Sequence, residues 1–182
     1  MVEPPPVITF SEAPTLDDVD TSKKLIEGKE KKDRIRLKNE IFRDHTVMGY
    51  GGNDVITTKD GDDDIFAGDG KDTVNAGKGD DKVMGGEGVD KLRGQDGNDE
   101  LYGGIGADVL HGGNDDDLLV GGDDNDTLYG NKGNDLISGG DGKDWIKGGE
   151  GDDIVSGGDE RDTIKGEKGH DTLLGGEGDD NI

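Results

Sequence analysis

From Ile56 onward an aliphatic side chain returns at every ninth residue: Ile56, Ile65, Val74, Val83, Leu92, Leu101, Leu110, Leu119, Leu128, Ile137, Ile146, Val155, Ile164, Leu173 and Ile182. The flanking residues are mostly polar, so each occurrence reads as a very short strand with one inward side chain. Between strands the chain is rich in glycine, which permits tight turns with positive φ and leaves carbonyls uncovered. In Gly85-Gly86-Glu87-Gly88-Val89-Asp90-Lys91-Leu92-Arg93 the glycines hold places one, two and four, and Asp90 to Arg93 alternates polar and apolar. Nine residues thus predict one turn and one strand. Two such units predict one coil of eighteen residues, with strands on opposite walls. Residues eighteen apart then stack at a strand spacing of about 4.8 Å. The expected fold is all-β, a solenoid in which odd-numbered repeats form one parallel sheet and even-numbered repeats the other.

Two residues before each aliphatic stands an aspartate: Asp54, Asp63, Asp72, Asp81, Asp90, Asp99, Asp108, Asp117, Asp126, Asp135, Asp144, Asp153, Asp162, Asp171 and Asp180. In the expected coil Asp72 stacks on Asp90 and Asp90 on Asp108, so the carboxylates form two columns. Neighbours roughly 5 Å apart repel by roughly 3 kcal/mol at an effective dielectric near 20. Each repeat buries one aliphatic side chain, worth about 1.5–3 kcal/mol before chain entropy is subtracted. A metal-free stack loses that contest, so a cation that favours carboxylate and carbonyl oxygen is expected between turns. Calcium takes six to eight oxygen ligands in flexible geometry, and glycine-rich turns offer carbonyls beside the aspartates. Magnesium demands a tighter octahedron and keeps its waters. Transition metals favour nitrogen or sulfur, and the three histidines are out of phase with one another.

Composition alone points elsewhere. Only 27% of the 182 residues are hydrophobic, 36% are charged and the formal net charge is −24, as in disordered acidic chains. The fixed phase of the aliphatics turns that reading into conditional order. Residues 1–48 hold ten acidic and nine basic side chains, whereas residues 49–182 hold 35 acidic, 12 basic and 35 of the 36 glycines. The break predicts a flexible Pro-containing acidic lead-in over 1–22, an N-terminal capping segment over 23–48, and fifteen nonapeptides over 49–182. So acidic a surface repels nucleic acid and anionic lipid, and neither is an expected partner. The chain has no cysteine, which excludes disulfides and zinc–thiolate sites. No apolar run approaches a membrane span, and MVEPPPVITF lacks the basic-then-apolar order of a conventional signal peptide.

The unit Gly-Gly-x-Gly-x-Asp-x-aliphatic-x resembles the nonapeptide of the RTX, or haemolysin-type, calcium-binding proteins over residues 49–182. The resemblance implies a parallel β-roll with several calcium ions held between stacked turns. It implies as ligands the fifteen sixth-place aspartates and carbonyls of turns such as Gly85, Gly86 and Gly88, Gly139, Gly140 and Gly142, and Gly148, Gly149 and Gly151. It also implies a bacterial protein exported through a one-step (type I) channel to the exterior or cell surface, where the repeats fold on meeting calcium. Asp115 and Asp124 replace the fourth glycine, and aspartate tolerates a left-handed conformation. Glu160 does so less readily, and Thr58 and Lys59 loosen the second repeat, so weaker sites are expected around them. One repeat upstream, Val47 keeps the inward place while His45 stands at the aspartate position, which reads as a capping coil without metal. Family members usually continue beyond the inward residue on which this chain stops, Ile182, so a fragment is expected, the alternative being an end covered by a partner or a second copy.

Within 23–48, Ile35 and Leu37 suggest a strand, and Leu37 and Ile41 would equally suit a helix. On the even-numbered wall, ninth-place Phe66, Met84, Tyr102 and Val120 and seventh-place Leu118, Leu136 and Ile154 make an apolar stripe if both places face outward. That stripe is read either as a dock for the N-terminal segment, another chain or a missing domain, or as ordinary exposed sheet. On the odd-numbered wall Val109, Tyr129 and Trp145 interrupt polar residues without forming a regular ladder. No nucleophile elbow or His-Glu-x-x-His site occurs, and a periodic carboxylate array makes a poor acid–base pair, so no enzymatic activity is expected. The expected function is calcium binding, in a calcium-dependent folding module of a secreted bacterial protein. The alternatives are an adhesive module that binds carbohydrate, a receptor or another roll, and an accessory domain of a protease, lipase or toxin outside this chain.

Overall fold

The computed structural model describes residues 24–36 and 44–182; among them every regular element is a β-strand. All strand pairs are parallel, and each strand pairs with the one two positions along the chain. One sheet has nine strands, from Lys24–Lys29 to Thr172–Glu177, and the other has eight, from Arg34–Arg36 to Thr163–Lys168. Registers such as Leu110↔Leu128, Leu119↔Ile137 and Ile146↔Ile164 set eighteen residues per coil. Even-numbered repeats supply the nine-stranded sheet and odd-numbered repeats the other, as the nine-residue period requires.

Side chains alternate along a strand, so places six, eight and one of consecutive repeats all face inward. Each half-coil therefore contributes a carboxylate, an aliphatic and a glycine to the interior. The eighth-place side chains from Val47 to Ile164 are 0–2% exposed and form one continuous cluster between the sheets. The carboxylates line the margins of that cluster, where strand gives way to turn.

The turns explain the glycines. The fourth place has positive φ in every repeat, including Asp115 (77°), Asp124 (79°) and Glu160 (73°). A residue with a β-carbon pays about 1–2 kcal/mol in that region. These three turns follow the common path because coils stacked on either side impose it. A β-carbon on Gly106 would lie 1.6 Å from the Gly88 carbonyl oxygen, so the stacking leaves no room for one there.

The sheets also extend upstream of the nonapeptides. β1 (Lys24–Lys29), β2 (Arg34–Arg36), β3 (His45–Tyr50) and β4 (Val55–Thr57) make parallel pairs, β1 with β3 and β2 with β4. The register here is Ile26↔Val47 and Ile35↔Ile56, an offset of 21 residues. Ile26 and Ile35 are nine apart, so this coil obeys the same period, with three residues more than the period asks between Ile35 and Val47. Strand and helix were both open over 23–48; the described part of it is strand. Leu37, Ile41 and the lead-in over 1–22 lie outside the described residues.

The even-numbered wall is less open than its sequence implies. Met84 and Tyr102 are only 9% and 4% exposed, whereas Ile154 is 42% exposed. The Tyr102 hydroxyl donates to Glu100 at 3.3 Å, and Glu100 also pairs with Lys82 at 3.1 Å. Over these coils the apolar stripe is a sheltered face.

Candidate metal centre

The sixth-place aspartates from Asp54 to Asp162 are 0–3% exposed, and Asp171 and Asp180 are partly exposed. The two oxygens of each buried carboxylate differ. Oδ1 accepts from the backbone N–H of the aspartate one coil earlier: Asp72 to Asp90 at 2.8 Å, Asp90 to Asp108 at 2.7 Å, Asp99 to Asp117 at 2.8 Å. Oδ2 accepts no hydrogen bond in any of the thirteen aspartates from Asp54 to Asp162. Leaving one buried polar atom unsatisfied costs about 1–3 kcal/mol, and more when it is charged. Native proteins hold few such atoms, so thirteen in register point to an absent partner. The two columns contain seven and six successive aspartate pairs, so each bare oxygen belongs to one gap between coils.

That oxygen faces a space which only glycine leaves. A β-carbon on Gly85 would lie 2.5 Å from Asp90 Oδ2 and 2.5 Å from the carbonyl oxygen of Gly103, one coil on. On Gly121 it would lie 2.3 Å from Asp126 Oδ2 and 2.5 Å from the Gly139 carbonyl oxygen. A carboxylate oxygen and a main-chain carbonyl of successive coils thus converge beside first-place glycines such as Gly85, Gly103, Gly121, Gly139 and Gly157. Second-place carbonyls also point along the stack: a β-carbon on Gly104 would meet the Gly86 carbonyl oxygen at 2.2 Å. Among the described residues no three His, Cys, Asp or Glu side chains converge on one point. The donors on offer are therefore hard oxygens, chiefly main-chain carbonyls with one carboxylate, and that set suits calcium. Thr58, Ala67 and Ala76 replace the first glycine and put a β-carbon beside Asp63, Asp72 and Asp81. The Thr58 hydroxyl also donates to the Ala76 carbonyl.

The first-place glycines, Gly121 among them, do not need a positive φ, so alanine there crowds the Asp126 carboxylate and the Gly139 carbonyl without the cost of a left-handed backbone, as Ala67 and Ala76 do at the same place. Gly121→Ala is expected to remove about one ion from the calorimetric stoichiometry and about 1–3 kcal/mol from the calcium-loaded stability. An unchanged ion count would show that the space holds nothing.

Burial raises the pKa of these carboxyls, the amide of the preceding coil lowers it by less, and neighbouring carboxylates raise it further. Asp90 and Asp144 are pushed up to about 6, and Asp99, Asp108 and Asp135 to about 7. Asp81, Asp117 and Asp126 reach about 8. At neutral pH these groups need either a proton or a cation.

One rung escaped the sequence reading. The Asp33 N–H donates to Asp54 Oδ1 at 2.7 Å, as in every later coil. A β-carbon on Gly28 would lie 2.8 Å from Asp33 Oδ2 and 2.9 Å from the Gly49 carbonyl oxygen. Gly28, Asp33 and Ile35 stand at places one, six and eight, which was the available signal. Here, however, Oδ2 accepts from the Lys29 N–H, so a main-chain donor sits where later coils leave the oxygen bare. In the other column His45 takes the aspartate's place; its backbone N–H donates to Asp63 Oδ1 at 2.7 Å, and its Nδ1 lies 3.0 Å from the same oxygen. The first coil extends the hydrogen-bond ladder without a bare carboxylate oxygen.

A second ladder runs outside the first. In even-numbered repeats place five is Asp or Asn from Asp62 to Asp152. The Asp80 N–H donates to Asp62 Oδ1 at 2.9 Å, Asn98 to Asp80 at 2.8 Å, and Asp152 to Asn134 at 2.9 Å. These side chains reach the opposite way along the stack, so the turns are tied in both directions.

A family model for the RTX calcium-binding nonapeptide repeat, spanning four copies, matches residues 48–83, 84–119, 111–146, 120–155 and 147–182. No curated protein matches the chain.

Proposed function

We propose, from the premise that the chain belongs to the RTX calcium-binding nonapeptide repeat family, that it is the calcium-dependent folding module of a protein exported by bacteria. The thirteen bare, buried Oδ2 atoms carry this reading. Each calcium would take an aspartate Oδ2 from one coil and the first-place carbonyl from the next, with further carbonyls of the glycine turn. Repeats such as Gly85–Asp90, Gly139–Asp144 and Gly148–Asp153 have the full set. The role is structural and not catalytic, because the carboxylates are committed to ions in a periodic array.

Ions that bind the native chain alone stabilise it by mass action, so folding follows calcium. Where calcium is scarce the array stays unfolded and can be threaded through a channel. Outside the cell it folds and cannot slip back. Circular dichroism against buffered free calcium tests this. The expected transition is cooperative, with a midpoint at about 10⁻⁴–10⁻³ M, the range of extracellular calcium modules. A midpoint below about 10⁻⁶ M would mean folding inside the cell, and the export reading would fail.

A further inference from the structure

The outer face of the eight-stranded sheet has a different character from the rest of the molecule. In a chain of net charge −24, every charged side chain at its seventh and ninth places is basic: Arg34 and Arg36 on β2, then Lys91, Arg93, Lys147 and Lys165. Strand registers align Arg93, His111, Tyr129, Lys147 and Lys165 in one row. The adjacent row is Lys91, Val109, Thr127, Trp145 and Thr163. Each row crosses four strand spacings, about 19 Å. His111 and Tyr129 stack with centroids 4.5 Å apart and planes 1° from parallel, and Tyr129 meets Trp145 at 5.1 Å. Three rings thus meet across the sheet, a local aromatic cluster within a face that has no regular ladder. Lys91, Arg93 and Lys165 are exposed and have no ion-pair partner among the described residues, while Lys147 pairs with Glu167 at 3.0 Å. Burial, reinforced by Arg93, holds the His111 pKa down and so favours the neutral ring within the stack.

We propose that this face binds an acidic polysaccharide bearing carboxylates on its sugar rings. Trp145, tilted against Tyr129, would receive the apolar face of a sugar, Tyr129 would offer its edge and hydroxyl, and Lys91, Arg93 and Lys165 would pair with the carboxylates. Arginine offers two parallel donors to such a group. Aromatic and basic side chains together also hold single-stranded nucleic acid. A partner with a charge at every link would, however, be repelled by the rest of a chain whose net charge is −24. A glycan with a carboxylate on only every second sugar meets less of that repulsion and still offers an anion to each of the few basic side chains on this face. The face exists only in the folded roll, so this inference rests on the calcium reading.

The test titrates the whole chain in calcium with a hexasaccharide of alternating uronate and neutral sugars, a neutral glucose hexamer and a short oligothymidylate, and uses circular dichroism to check each protein's fold. Calcium can itself bridge uronates to an acidic surface, so the variants decide. Tyr129→Ala with Trp145→Ala, and separately Lys91→Glu with Arg93→Glu, are expected to weaken uronate binding by at least about tenfold, the worth of one lost stacking or charge-assisted contact. The exposed Lys91 and Arg93 make the second pair a safe substitution if the first disturbs folding. The neutral hexamer should bind at least about tenfold more weakly than the uronate. The inference is overturned if folded parent ignores the uronate, if the neutral sugar or the oligonucleotide binds as well, or if folded variants bind like the parent. A parent that fails to fold in calcium strikes the calcium reading instead.

Discussion

Held in chelator, the chain is expected to be coil-like at about pH 8 and to gain β-structure as the pH falls to about 4.5. The ordinary value for these carboxyls is 3.8, and in the folded roll Asp90 rises to about 6, Asp108 to about 7 and Asp126 to about 8. The folded state therefore binds more protons than the unfolded chain between those values. A raised carboxyl contributes stability that is fully present below 3.8 and is lost as the pH climbs through 6 to 8. Acid thus substitutes for metal. With calcium present the dependence reverses, because the ion must displace those protons and binds better as the pH rises. Far-UV spectra in chelator across this range check the sign. Loss of β-structure on acidification would mean that these carboxylates are not buried as described.

Relief of general charge repulsion near the isoelectric point of about 4.2 could also favour compaction in acid, and one substitution separates the two effects. Asp126→Asn keeps an oxygen to accept the 2.7 Å hydrogen bond from the Asp108 N–H and removes the buried charge. In chelator at about pH 6 the variant should be more stable than the parent by about 1–3 kcal/mol, because folding no longer has to protonate a carboxyl that is ionised in the unfolded chain. In calcium it should be less stable by a similar amount, because a charged ligand has gone. Asp126→Ala loses the hydrogen bond as well and should gain less in chelator. Chemical denaturation of both forms reads the difference. If Asp126→Asn shifts both in one direction, the carboxylate does not serve an ion.

Much of this architecture was legible because the covalent period maps directly onto the coil: with Leu110 and Leu128 eighteen apart, strand pairing follows. The columns of Asp72, Asp90 and Asp108 could be drawn for the same reason. What the period could not show is which carboxylate oxygen is spent on the neighbouring amide and which is left bare, since that depends on side-chain rotation. The coil of Gly28, Asp33 and Ile35 stayed hidden because three residues beyond the period separate Ile35 from Val47, which puts it out of phase with every later repeat. Glu160 adopts the left-handed turn against its own preference because its neighbours' path leaves no other. The contact of Tyr129 with Trp145 crosses from the ninth-place row to the seventh, so neither row alone reveals it.

The most direct test strips the chain of metal at neutral pH and low salt, follows its far-UV spectrum and Trp145 fluorescence, and then counts ions as calcium is returned. The expected course is from coil to β in one cooperative step, with at most thirteen ions bound, Asp63, Asp72 and Asp81 holding theirs most weakly, and magnesium failing to replace calcium. A compact sheet that persists without metal, and takes up no calcium when it is offered, would contradict the account.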